Sequence, residues 1–107
     1  SSSGREILYQ LVEVFKKYPS IYIDINGHVP AGSSIKENWK NSTRKTLSVL
    51  YTLSNKDILQ DRIRVIGYGQ FKPIATSDDP LAIQKNSRTE IILHYQNMEL
   101  LKLVPTN

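Results

Sequence analysis

The run Ile21-Tyr22-Ile23-Asp24-Ile25-Asn26 ends in Gly27-His28, which sets an imidazole at the end of a strand-like segment beside a loop. A neutral imidazole there can donate or accept a hydrogen bond, ligate a metal or carry a proton. Two readings stand for it: a ligand-facing ring at the rim of a sheet, or a structural strand end. Lys36, Lys40 and Arg44 recur at i, i+4 and i+8, which gathers three cations in one row on a helix. Such a row is either a solvated face or an anion-binding surface. Gly67 and Gly69 flank Tyr68 after a second strand-like run. No third glycine opens a helix, and Phe71, Lys72 and Pro73 follow, so the pair reads as turn geometry and not as a dinucleotide loop. Arg88 stands just ahead of the last strand-like run, in Lys85-Asn86-Ser87-Arg88-Thr89-Glu90-Ile91.

No catalytic template assembles from these positions. His28 and His94 are the only histidines, and neither stands at metal-ligand spacing from an Asp or Glu. No nucleophile-elbow pattern is present. The absence of cysteine removes disulfides, thiolate zinc sites and thiol catalysis. The expectation is a non-enzyme with no cofactor and no metal. Nucleic acid is not an expected partner, because an RNP-like strand, a zinc finger and a GXXG loop are all missing. The chain has 107 residues, 39% hydrophobic and 22% charged, the profile of one ordinary globular domain. A net charge of +4 favours anionic partners such as cell-wall carboxylates, nucleic acid or acidic protein surfaces without choosing among them. No apolar run approaches the ~20 residues of a membrane-spanning helix.

The elements that must position these residues follow from periodicity. Ile7, Leu8, Leu11, Val12, Val14 and Phe15 recur at helical spacing, which predicts an amphipathic helix from about Arg5 to Lys17, stopped before Pro19. Residues 1–4 read as a flexible lead-in. Ile21 to Asn26 alternates as a half-buried strand. A loop from Gly27 to Ile35 leads to a second helix from Ile35 or Glu37 to Leu53, with Trp39, Leu47, Leu50 and Leu53 as its apolar positions. Ile63 to Tyr68 and Thr89 to Tyr95 are strands. Ser77-Asp78-Asp79-Pro80 places capping residues ahead of a proline, predicting a short helix from Pro80 to Lys85. Residues 97–107 read as a C-terminal tail with a short helix. The expected architecture is α/β, an α-β-α-β-α-β order with helices packed on one face of a small mixed sheet.

In that order and spacing, Gly27-His28, Asn38-Trp39 with Ser42, Gly67-Tyr68-Gly69 with Pro73, and Asn86-Ser87-Arg88-Thr89-Glu90-Ile91 resemble the OmpA-like peptidoglycan-binding domain family. The version at the C-terminus of the flagellar stator protein MotB is the one most resembled. The family reads approximately I-x-I-x-G-H-T-D, N-(W)-x-L-S-x-x-R-A, G-Y-G-x-x-x-P and N-R-R-V-E-I. The resemblance spans residues 5–96, roughly Arg5 to Tyr95 by its motifs, with the family's usual first strand not represented.

The resemblance implies a cell-envelope anchor whose cleft grips the diamino acid of a peptidoglycan stem. The implied site comprises Gly27, His28, Asn38, Lys45 and Arg88, with Arg44 one residue early for the family's arginine. Two departures bear on it. Val29-Pro30 either stand where the family carries Thr-Asp or match the Val-Pro that follows Thr-Asp-Asn in many stator proteins, the acid being deleted. Under both readings the carboxylate that holds the ligand's ammonium is gone. Lys45 stands where the family has an arginine, and an ammonium cannot reproduce a two-bond grip on a carboxylate. Losing one charge-assisted bond costs about 1.5–3 kcal/mol, and ~1.4 kcal/mol is tenfold in affinity. Unless Asp24 or Glu37 supplies the missing anion, binding of a diaminopimelate-type stem is expected to be weak or absent. The domain is then a structural or protein-interaction module of a motor, secretion system or envelope scaffold. The alternative is a working peptidoglycan anchor of the stator type. Either places the chain in the periplasm as part of an inner- or outer-membrane-anchored protein. Its expected partners are peptidoglycan, other envelope proteins or a second copy of itself.

Overall fold

The computed structural model describes residues 2–56, 60–75 and 79–104, and structural statements below concern these. Along the chain come α1 (Ser2–Lys17), β1 (Ile21–His28), α2 (Ile35–Ser54), a 3-10 turn (Gln60–Arg62), β2 (Ile63–Gly67), α3 (Pro80–Gln84), β3 (Arg88–Tyr95) and β4 (Met98–Leu103). The strands form one sheet in the order β2-β1-β3-β4. β1 and β2 are parallel, and the other pairings are antiparallel.

The expected order is observed, with corrections at both ends. Helix α1 begins at Ser2, so residues 2–4 are helical where a lead-in is expected, and Gly4 is buried. The expected tail contains β4 in place of a helix. Gln96 takes φ 55° at the turn, and the Tyr22 hydroxyl donates to its carbonyl. The turn thus lacks the Asn-Gly or Asp-Gly that usually marks a hairpin. A register shift at Leu93/His94 also breaks the strand's alternation, and together these hide it from periodicity. Asp79 caps α3 by accepting from the Leu81 backbone. Ser1, Ser77, Asp78 and residues 105–107 lie outside the described residues.

One periodicity of two divides the sheet's faces. Ile23 and Ile25 of β1 with Ile91 and Leu93 of β3 turn toward the helices, where Leu11, Val12 and Phe15 of α1 and Leu53 of α2 close the core. Tyr22, Asp24, Asn26 and His28 alternate to the other face. Helix α2 starts at Ser34, whose side chain accepts from the Glu37 backbone. Its buried row is Asn38, Ser42, Thr46 and Leu53; of the expected Trp39, Leu47, Leu50 and Leu53 stripe, Leu53 is in the core and Leu50 packs on it, while Trp39 is exposed. The reason is proximity: small polar side chains let the helix lie close on Gly27 and Gly67.

Arg62 ties the far end together. Its guanidinium donates to the carbonyls of Phe15, Tyr18 and Ile21 at 2.7–3.0 Å and lies over the Phe15 ring, 4.7 Å from its centroid. Arg62→Ala leaves three carbonyls short of a donor, and urea unfolding is expected to show a loss of about 2 kcal/mol. Arg62→Lys restores little of it, because one ammonium cannot span the three acceptors.

Candidate functional site

The site lies where β1 runs out beneath the first half of α2. The β1 and β2 ends are joined past their last paired residues, Tyr68 N–H donating to the Gly27 carbonyl at 2.9 Å and Val29 N–H to the Gly69 carbonyl at 3.1 Å. Gly69 takes φ +61°, the left-handed conformation that favours glycine, and its N–H donates to Ser42 Oγ at 2.9 Å. Asn38 donates from its side-chain amide to Gln70 Oε1 at 2.6 Å and to the Ser33 carbonyl at 3.4 Å. Asn38 and Ser42 therefore fasten the two rim loops to the helix.

Lys45 reaches from α2 across this rim. Its ammonium donates to Ser87 Oγ at 2.5 Å and to the His28 carbonyl at 3.3 Å. Burial lowers its pKa below the ordinary lysine value. Gly27, Lys45 and the His28 backbone are thus brought together. Arg44 is not with them. It is exposed and donates to Asn41 Oδ1 at 3.3 Å, since one residue along a helix is a rotation of about 100°.

The His28 ring and Arg88 lie away from Lys45, on the sheet face opposite α2. Of the two readings of the ring, ligand-facing rim or structural strand end, its 3% exposure suits the second. The ring stacks on Tyr68 at 5.0 Å, with Nε2 2.9 Å from Glu90 Oε1. Burial, then the nearby Arg88 charge, lowers the His28 pKa despite the Glu90 contact. Near neutral pH the ring is uncharged, and Nε2–H donates to the carboxylate. Arg88 is buried too, donating to Glu90 Oε2 at 3.2 Å and to the Lys72 carbonyl at 2.9 Å. Lys102 approaches the same carboxylate at 3.5 Å. Burial would raise the Glu90 pKa, but the bonds from Arg88 and His28 outweigh it and bring the value below the ordinary carboxylate range. Glu90 thus faces cations on the side of the sheet away from α2.

No carboxylate takes the place left by Val29-Pro30 among the described residues. Asp24 lies on the opposite face, bound to Arg64 at 2.5 and 3.0 Å and to His94 at 3.0 Å. Glu37 is exposed at the start of α2, 3.9 Å from Lys40. Glu90 is enclosed by its own cations. What the crevice offers is one ammonium, the Ser87 hydroxyl and backbone carbonyls. That set can meet an anion or a neutral polar group and has no anionic wall opposite. Sequence reasoning does not single out Gln70 or Ser87 as site residues. Ser87 is visible only as a departure from the family's arginine. No group of three or more His, Cys, Asp or Glu suited to holding a metal occurs among the described residues, and no helix there is long and apolar enough to cross a membrane.

Comparison with known proteins agrees with this geometry. The crystal structure of the peptidoglycan-associated lipoprotein from Burkholderia pseudomallei superposes with a TM-score of 0.83 at 19% identity, covering 88% of this chain and 80% of that one. The C-terminal domain of Helicobacter pylori MotB superposes with a TM-score of 0.72 at 20% identity, covering 82% and 69%. At these identities the likeness shows the fold. Among curated sequences, the peptidoglycan-associated lipoprotein of Rhizobium meliloti is 30% identical over 77 residues, 72% of this chain and 44% of that protein. The first curated relatives are all longer, the chain spanning from 11% to 55% of their length. The profile of the OmpA family matches residues 1–87. On that match, and on a sheet and rim built as described, the chain belongs to the OmpA family.

Proposed function

We propose that this domain is a non-catalytic periplasmic module of an envelope protein whose crevice grips a diaminopimelate-type stem weakly or not at all. In this reading it serves as a structural or protein-interaction part of a motor, secretion or scaffold complex. The observation that carries the reading is the Lys45 crevice: a cation bound to Ser87 and the His28 carbonyl, with no facing carboxylate among the described residues. A zwitterionic diamino acid needs an anion and a cation on opposite walls, and losing each charge-assisted bond costs about 1.5–3 kcal/mol. Sedimentation with purified diaminopimelate-containing sacculi tests it. The wild-type chain is expected to stay largely in solution, with Lys45→Ala behaving alike. Robust co-sedimentation that falls on Lys45→Ala overturns the reading.

One observation favours the alternative of a working wall anchor. Lys45 keeps its ammonium in a half-buried place where burial opposes its charge, as binding-site cations do. If the wall's carboxylate were its partner, sacculus binding would depend on Lys45 and weaken with salt.

A further inference from the structure

A second surface stands apart from the crevice, on the flank of α2 that overlooks β2. Trp39, Thr43 and Leu47 follow one another at i, i+4 and i+8, with Lys40 and Arg44 in a parallel row, and these five line an open groove of about 440 Å3. Trp39 is 44% exposed and Phe71 51%, their rings tilted together at 5.3 Å. Gly69 backs the indole so closely that a Cβ there would come within 3.3 Å of it. An aromatic held rigidly in solvent is the anchor that protein interfaces favour.

Two further features say what fits. Thr43 sits over Gly67 of β2, and β2 borders the sheet. The outward backbone groups of residues 63–67 therefore have no strand partner among the described residues, a template for an added strand. Two cations line the groove, Lys40 and Arg44, and along the first half of α2 Lys36, Lys40 and Arg44 stand against Glu37. Among the described residues, Lys40 meets that exposed carboxylate at 3.9 Å and Arg44 meets a neutral amide.

We propose that this flank docks an extended acidic segment of a partner protein. The segment's backbone runs along β2, its apolar side chains enter the groove at Trp39 and Leu47, and its carboxylates face Lys40 and Arg44. A helix or a lipid surface would leave the free edge of β2 unsatisfied. A second copy related by a two-fold axis would set the same cations against each other. The proposal rests on reading the domain as a protein-interaction module, but its test does not pass through the crevice.

Trp39 is the only tryptophan, so its emission reports directly on the groove. A phage-displayed library of random short peptides is selected on the whole chain, and enriched peptides are synthesised and titrated against Trp39 fluorescence. The expected result is enrichment of Asp and Glu alternating with apolar residues, and a blue-shifted Trp39 on binding. Affinity should fall about tenfold or more in Lys40→Glu/Arg44→Glu, and new amide protection should appear at residues 63–67. Circular dichroism confirms that this variant folds, both changes being on exposed side chains. No enrichment, enrichment of basic or uncharged peptides, binding indifferent to the double change, or binding without protection along β2 each overturns the proposal. So does an equal, Arg44-dependent shift produced by phosphatidylglycerol vesicles or soluble muropeptides, which would assign the surface to those ligands instead. Sacculus sedimentation reports on Lys45 separately, so the two readings fail independently.

Discussion

Glu90→Ala is expected to lower the unfolding free energy by about 3–5 kcal/mol, the cost of leaving buried charge without its partner. The carboxylate accepts from His28 and Arg88 and is approached by Lys102, while His28 and Arg88 are themselves buried. Neither has a ready substitute, because His28 Nδ1 and Arg88 Nη1 already lack partners among the described residues. Glu90→Gln keeps an acceptor for His28 but leaves Arg88 unneutralised, so it should recover only part of the loss. Urea unfolding at neutral pH measures both. The same cluster gives the domain an acid limit. The folded pKa of His28 lies below 6.5 and that of Glu90 below 4.5, so in both windows the unfolded chain takes up protons first. Stability is therefore fullest above pH 6.5. It declines as the pH falls below 6.5 through the folded value of His28, and again below 4.5 through that of Glu90. His28→Gln should flatten the first decline and leave the second. A urea midpoint that does not change between pH 7 and pH 5 would contradict the assignment of a neutral buried ring.

β1, β3 and the core between them are legible because both strands alternate cleanly, Ile23, Ile25, Ile91 and Leu93 sharing one face. The rim was legible from Gly27, Asn38, Ser42 and Gly69, whose types suit close packing and loop fastening. The division of the candidate residues between two faces was written in the same alternation but is masked by reading them as one motif. Gly27 and His28 are neighbours on a strand, so their side-chain directions must oppose. If Gly27 lies under α2 with Lys45, the His28 ring cannot. Arg88 pairs with His28 across the sheet and shares its face for the same reason. What the sequence could not supply was the partner of each charge. Nothing local says that Asp24 turns to Arg64 and His94, or that Arg62 gathers three carbonyls from a distant turn. Those contacts depend on which strands become neighbours. The buried face of α2 was hidden by a different cause. In the first half of the helix burial follows closeness to two glycines, which leaves Trp39 in solvent and Ser42 and Thr46 inside, while Val49, Leu50 and Leu53 meet the core as their hydrophobicity suggests.

That closeness gives the second large effect. Gly27 is not required for an unusual φ; it is required for space. A Cβ added at Gly27 would lie 2.1 Å from the Ser42 carbonyl oxygen and 2.8 Å from Thr46 Cγ2. The nearer atom is helix backbone, so no side-chain rotation relieves it, and α2 must lift from the sheet. Gly27→Ala is therefore expected to cost at least the upper end of the range of about 1–3 kcal/mol for overpacking. The cost has a local signature, since lifting α2 draws Ser42 Oγ from the Gly69 N–H and Lys45 from the His28 carbonyl. The Gly69 amide should lose hydrogen-exchange protection beyond what the global loss of stability explains. Shortening Thr46 in the same chain should rescue little, because it removes the smaller of the two clashes. Gly32→Ala is the control, with nothing within 4 Å of its added Cβ, and should leave the unfolding midpoint unchanged. If Gly27→Ala instead matched Gly32→Ala, α2 would not rest on the sheet at this distance. Lys45 would then not be held at the mouth of β1, and the crevice would lose its geometry.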